Sequence, residues 1–324
     1  MSEAFFVTGA QGCIGAWVVR KLLQRGATPW IFDASDDRRR LRLVAEEAEL
    51  ERARFVRGDV TDGAAVRAAL ERSGAKRVIH LAGLQVPTCR AEPVKGALVN
   101  VIGTLNVLEA ARACGVERVA YASSAAVYGK SEDDSLPVDE SVATEPATHY
   151  GVFKKANEGN ARVCFLEHGL SSVGLRPLTV YGVGRDQGLT SDPTKAIVAA
   201  LRGQEFTIRF GGRTDFLYVE DAAEAFVACA ERAPAGAHVF NVHGESTTVA
   251  EFVAHARREL GAAADRIGID GPPIPIADAM DGAALERAIP GYRAIGLREG
   301  VGRMVEGFRA LQRAGRLGEV DLPS

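Results

Sequence analysis

Apolar residues come in short unbroken runs through the first 182 positions, with little polar alternation inside them. The runs cover 4–10 (AFFVTGA), 29–33 (PWIFD), 54–60 (RFVRGDV), 77–83 (RVIHLAG), 118–129 (RVAYASSAAVYG) and 171–182 (SSVGLRPLTVYG). Continuous apolarity marks strands covered on both faces. Helix-length stretches separate them at 14–25, 63–73, 93–114 and 149–168. Strand and helix in regular alternation predict βαβ units and a parallel sheet. The stretches 93–114 and 149–168 carry more apolar residues than one core-facing stripe needs.

Beyond about residue 183 the pattern loosens. Residues 182–194 are rich in Gly, Asp and Thr and predict a loop. A helix (194–202), a short strand (205–210), a helix (219–233), a strand (238–242) and a helix (247–260) follow. A Pro-rich loop (270–278) precedes a last helix reaching about 314, and the tail 318–324 is expected to fray.

Composition narrows the classes. The 324 residues hold 39 basic and 42 acidic side chains, a net charge of −3, which offers no electrostatic case for nucleic acid or an anionic membrane. The run Arg38-Arg39-Arg40 is expected to be a solvated helix face. Five dispersed cysteines without a CxxC pair fit reduced thiols of a cytoplasmic protein. The histidines form no metal-binding pattern, and no apolar run is expected to span a membrane or act as a signal peptide.

Chemistry enters with VTGAQGCIG, where Gly9, Gly12 and Gly15 stand between the first strand and the first helix. A dinucleotide pyrophosphate needs close backbone approach and free N–H groups at a helix start, and side chains would block both. Asp33 ends the second strand, where a carboxylate accepts the adenosine ribose hydroxyls and repels a 2′-phosphate, so NAD is favoured over NADP. Asp59, and Ala82 with Gly83, end the next two strands at the same crevice.

Tyr150 and Lys154 lie one helical turn apart on one face, and Lys155 points elsewhere. A free phenol titrates near pH 10, too high for a neutral-pH base. A neighbouring ammonium and an oxidised nicotinamide both favour the phenolate. Ser124, at the end of the fifth strand, can orient the reacting oxygen. Together they can move a proton beside a nicotinamide.

The ordered set of glycine loop, Asp33, GDV, HLAG, Asn100 with GT, SSAAVYG, YGVFK, RPLTVYG and DFLYVEDAA resembles the extended short-chain dehydrogenase/reductase family, the NAD-dependent epimerase/dehydratase group. The resemblance spans residues 4 to about 245. It implies an α/β fold: a Rossmann-type doubly wound parallel sheet with a smaller C-terminal substrate-binding lobe. Residues 1–175 plus roughly 212–245 would bind NAD, and 176–211 with 246–324 would form the lobe. Tyr150 is then the acid/base, Lys154 holds the nicotinamide ribose, and Ser124 binds substrate. The cofactor set widens to Cys13, Ile14, Val60, Leu81, Asn100 and Pro177, with Ser123 supporting the cofactor or the strand. The family's homodimers pair the two long helices, here 93–114 and 149–168, in a four-helix bundle.

Within the family, dehydratases place Asp-Glu after the serine, and decarboxylases also keep a Glu. Here Ala125-Ala126 follow, so elimination and decarboxylation are disfavoured. Thr179 stands where nucleotide-sugar enzymes typically have Asn, and Thr214 where an Arg often grips the diphosphate, with Arg213 one position earlier. Arg185 and Arg209 are further cations that could meet a diphosphate. Gln85, Thr190, Ser191 and Lys195 are candidate substrate contacts by position. Three readings remain: a 4-epimerase of a sugar, carried by a nucleotide or not; a dehydrogenase of a free sugar, sugar acid or other hydroxy compound; and an inactive NAD sensor.

Overall fold

The computed structural model describes residues 2–130 and 137–322. In chain order the strands are β1 (Ala4–Thr8), β2 (Thr28–Asp33), β3 (Arg54–Arg57), β4 (Arg77–His80), β5 (Arg118–Ala122), β6 (Ser171–Arg176), β7 (Thr179–Tyr181), β8 (Phe206–Ile208), β9 (Arg213–Tyr218), β10 (Ala237–Asn241), β11 (Glu245–Thr248) and β12 (Ile267–Ile269). Seven of them form one sheet in the order β10-β6-β5-β4-β1-β2-β3, and every pairing in it is parallel. Chain direction across the sheet reverses between β1 and β4, and the carboxyl ends of these two strands open the crevice where ligands of doubly wound folds bind.

Helices cover both faces, which is why the strand runs are apolar throughout. Cys13–Gln24 and Val219–Arg232 pack together on one side through residues such as Val18, Leu22 and Phe226. Gly63–Ser73 and Gly103–Ala113 lie on the other with Val66, Leu70, Val107 and Leu108. Buried His80 joins the layers, hydrogen-bonded to Thr8 Oγ1 at 2.6 Å and Thr104 Oγ1 at 3.0 Å. Burial holds its imidazole neutral, down to about 3.

Several expectations from the sequence are corrected. The apolar run 171–182 is two strands in two sheets: Pro177 supplies no N–H, β6 stops at Arg176, and β7 joins β9 and β11 in a separate three-stranded sheet. So β9 leaves the main sheet, although the helix Val219–Arg232 after it packs back against β4 and β5. The run 118–129 is a strand only to Ala122, after which Ser124 caps a 3₁₀ turn over Ala125–Val127. The helix over 93–113 contains a wide π turn at Leu98–Ile102. There the Asn100 carbonyl accepts from Thr104 Oγ1 and Asn157 Nδ2, both at 2.7 Å. Contrary to expectation, Pro93–Ala113 is long and apolar enough to pass for a membrane span by length and composition alone, but here it packs against Gly63–Ser73 and His149–His168.

The arginine run is not a solvated face. Arg38 lies 3.6 Å over the Phe55 ring, and Arg39 and Arg40 converge on the buried carboxylate of Asp186. The tail is ordered to 322. Arg202 donates to the Leu317 and Val320 carbonyls, and Asp321 pairs with Arg39. Residues 323–324 lie outside the described residues.

Candidate active site

The β1 loop is built by contact between backbones. Gly9 has φ +66°, and a Cβ on it would come 2.5 Å from the Ala82 nitrogen. A Cβ on Gly15 would fall 2.4 Å from the Gly9 carbonyl oxygen. Gly12 is the N-cap of the first helix and supplies no side chain to its end, so the first-turn N–H groups face the cavity. Cys13, Ile14 and Leu81 line the same space. Asp33 accepts the Gln11 N–H and the Ser35 N–H, each at 3.0 Å, which fixes its carboxylate at the rim of a 490 Å³ cavity beside Asp59, Val60 and Ala82. A glycine cradle over a helix start, with a fixed carboxylate at the second strand end, fits NAD.

A second cavity of 430 Å³ continues from the first, sharing Gly9, Gly12, Gly83 and Gln85 with it, and holds the reactive side chains. Thr148 caps the helix His149–His168 by accepting the Gly151 N–H at 3.1 Å, so Tyr150 falls in its first turn. Gly151 presses on the serine turn: a Cβ there would stand 2.4 Å from the Ala126 carbonyl oxygen. That contact brings the Tyr150 phenol within reach of the Ser124 hydroxyl, and both line the cavity. Lys154 donates to the Ala122 carbonyl at 2.7 Å and sits 5.5 Å from the Tyr150 ring centre. Lys155 turns away to the Thr144 carbonyl.

Burial dominates the titration of both groups. It pushes the Lys154 ammonium down to about 8, and it raises the Tyr150 phenol, an effect the Ser124 hydrogen bond and the Arg185 charge only partly offset. Without a cofactor charge beside it, Tyr150 is therefore a poorer base than the sequence pattern suggests.

Ser123 and Pro177 line the reactive cavity. Ser123 Oγ also donates to Glu158 at 2.5 Å, and Glu158 is gripped by Arg176 at 2.6 and 2.8 Å. This buried ion pair ties the catalytic helix to β6. Asn100 does not face the cleft. It closes the loop after β4, accepting from Leu84 N and donating to the Leu84 carbonyl at 3.1 Å, and so holds Gly83 above Lys154.

The substrate candidates separate. Ser124, Gln85 and Thr190 line the reactive cavity, while Thr179, Ser191, Lys195 and Arg213 do not. Thr179 is buried against the Thr214 hydroxyl at 2.7 Å. Ser191 donates to the Gly188 carbonyl at 2.8 Å. Lys195 is buried beside Asp192 at 3.1 Å, and Arg209 is clamped on the same carboxylate. Arg213 reaches out to the Ser246 carbonyl. Of the three arginines considered for an anion, Arg185 alone lines the cleft.

Other lining residues had no sequence signal: Arg90, in the short helix Val86–Ala91, and Leu178, Leu189 and the wall Ile274-Pro275-Ile276, in loops, come from segments far apart in the chain. Gly151 was findable, since a glycine directly after the reactive tyrosine permits the tight contact with the serine turn.

Fold and site define a doubly wound dinucleotide-binding protein in which Ser124, Tyr150 and Lys154 line one cavity. Residues 5–242 match the NAD dependent epimerase/dehydratase family, and the chain belongs to it. The UDP-glucose 4-epimerase of Streptomyces lividans is 30% identical over 278 residues, covering 81% of this chain and 82% of that protein. The UDP-glucose 4-epimerase of Thermus thermophilus, in complex with NAD, superposes with a TM-score of 0.81 at 27% identity, covering 94% of this chain and 99% of that one. MoeE5 in complex with UDP-glucuronic acid and NAD gives 0.79 at 28% identity, covering 95% and 99%. The chain is an NAD-dependent enzyme of this family.

Proposed function

We propose that this enzyme inverts one secondary carbinol of a sugar, the 4-position of a nucleotide sugar, by oxidation and re-reduction. The convergence of Ser124, Tyr150 and Lys154 in the cavity that continues the glycine-loop crevice carries this reading. NAD, when bound, takes up and returns the hydride. Tyr150 Oη accepts the carbinol proton and gives it back, and Ser124 Oγ holds the same oxygen in line. Lys154, braced on the Ala122 carbonyl, supplies positive charge beside the phenol and donors for the ribose. Ala125 and Ala126 place no carboxyl group in the serine turn, so no base for elimination stands there. The UDP-glucose 4-epimerases among the relatives support the nucleotide sugar as substrate.

A second reading, net oxidation of a free sugar or sugar acid by a dehydrogenase, draws on one observation. Thr179 and Thr214 are buried, bond each other and bring no positive charge for a diphosphate to that place. Denaturing freshly purified protein and counting NAD and NADH per chain separates the two. Near one dinucleotide per chain, with interconversion of UDP-glucose and UDP-galactose, supports the epimerase. An empty protein that turns over added NAD with a free sugar acid supports the dehydrogenase.

This reading includes the division into an NAD-binding part and a smaller substrate lobe, a cytoplasmic setting suited to five free thiols, and a homodimer. Support for the dimer comes from an exposed apolar stripe across the two long helices: Val94, Leu98 and Ile102 on one, Val152, Val163 and Leu166 on the other. Sedimentation would show a mass of twice 34.4 kDa, and Leu166→Glu would yield monomers.

A further inference from the structure

Arg185 is an unbalanced cation inside the cleft. It lines both cavities and is only partly exposed. Nη2 donates to Thr190 Oγ1 at 3.0 Å, while Nε is buried and has no partner among the described residues. Neither do the described residues offer it a salt-bridging carboxylate. Its neighbour Asp186 is already held by Arg40 at 2.7 Å and by Arg39 at 3.4 Å. A half-buried guanidinium with an orphaned N–H is costly unless an anion completes it.

The surroundings indicate what shape that anion has. The turn that carries Arg185 contains Gly188, at φ +95°. A Cβ there would stand 1.9 Å from Gln85 Oε1 and 3.2 Å from Arg185 Nη2, so glycine leaves room for both side-chain tips beside the turn. Gln85, Thr190 and Arg185 thus present amide, hydroxyl and guanidinium groups at one place. A planar fork with neighbouring hydrogen-bond groups matches a carboxylate. The place belongs to the reacting centre's cavity, whose lining includes Tyr150 and Ser124 along with Arg185, Gln85 and Thr190. A substrate diphosphate would lie farther out, where exposed Arg90 stands at the cavity margin.

We propose that Arg185, with Gln85 and Thr190, forms a subsite for a carboxylate carried by the sugar ring itself, so that the enzyme acts on an acidic sugar unit rather than a neutral hexose. This rests on the cleft being the substrate site of the NAD-dependent enzyme argued above. It sharpens that reading by naming the substrate class.

The test is calorimetric titration of the NAD-loaded protein with UDP-glucuronate, UDP-glucose and free D-glucuronate, repeated on Arg185→Met and Arg185→Lys. The wild type should bind UDP-glucuronate about tenfold more tightly than UDP-glucose, the scale of one charge-assisted pair. Arg185→Met should erase the preference and leave the NAD affinity within about threefold, while Arg185→Lys, a charge without the fork, should keep only part of it. If free D-glucuronate binds in an Arg185-dependent way and neither UDP-sugar does, the subsite stands and the nucleotide-sugar reading falls. Equal affinity of the wild type for both UDP-sugars overturns the proposal. Equal weakening of both by Arg185→Met also overturns it and assigns Arg185 to the diphosphate. A loss of NAD affinity in Arg185→Met overturns it in favour of the cofactor pyrophosphate, and failure of all three ligands to bind overturns subsite and reading together.

Discussion

The two halves of the cleft are made differently. The dinucleotide half is a backbone object: Gly9 against Leu81–Ala82, Gly15 against the Gly9 carbonyl, and a helix start with no side-chain cap. The substrate half is a side-chain object, assembled from loops near 85–90, 147–150, 185–190 and 274–276. A site read by backbone tolerates few residue types at fixed spacing. A site read by side chains tolerates many, and it can change ligand without changing fold.

The largest expected effect tests the boundary between the halves. Tyr150→Phe removes the proton carrier but no packing, so turnover should fall by about 10³-fold or more while NAD binding stays within a few-fold. Comparable losses of both would place Tyr150 in the cofactor half. Gly9→Ala should do the reverse: a Cβ 2.5 Å from a backbone nitrogen, at φ +66°, forces the loop open. NAD affinity should drop by about 100-fold, and the melting temperature should fall as well.

Asp33→Ser is a smaller change. It removes the ribose acceptor, so NAD should weaken by about tenfold and NADP should strengthen, because one carboxylate no longer repels the 2′-phosphate. Arg39 and Arg40 would not help much, since Asp186 holds both. Releasing them with Asp186→Asn in the Asp33→Ser background should raise NADP affinity further, read by the same titration.

Lys154 gives a pH signature. Its value in the fold, about 8, lies below the ordinary lysine value near 10.4. Between the two the unfolded chain holds more protons than the fold, so this residue makes stability rise as pH climbs from about 8 to 10. Cofactor-free Lys154→Met should therefore be more stable than wild type at pH 7 by roughly 1–3 kcal/mol, less the lost bond to Ala122, and the gap should close towards pH 10. A gap independent of pH would refute the buried ammonium. The smallest effect belongs to Arg213→Ala, whose side chain bonds the Ser246 carbonyl and pairs weakly with Asp278 among the described residues. Its substrate KM should change by less than about twofold.

The same contrast explains what could be read from residues alone. Strand runs with no polar alternation, and glycines at fixed spacing, are local signals, and the main sheet and dinucleotide half follow from them. The fate of 171–182 was less legible, because one apolar run hides a change of sheet that only Pro177 marks. Lys195 and Arg185 are both cations in one short segment. One is buried on Asp192 and the other faces the cleft, and the difference depends on Asp186, next to Arg185, being taken by Arg40 from far away in the chain. Pairings between distant loops leave no periodicity to detect.

The wide turn at Leu98–Ile102 has a consequence for changes in chain length. An α-helix advances about 100° per residue, and a π turn stores one residue beyond the regular count. Deleting that residue would restore regular winding and leave the two ends of the helix in phase, because the wide turn already absorbs the extra step. Val107 and Leu108 would keep their place against the sheet, and Val94 would keep facing outward. The Asn100 carbonyl would then lose the room in which Thr104 and Asn157 both reach it. In this helix a one-residue gap is thus the loss of one shared carbonyl rather than a change of phase, felt at Thr104 and Asn157 and not at the helix ends.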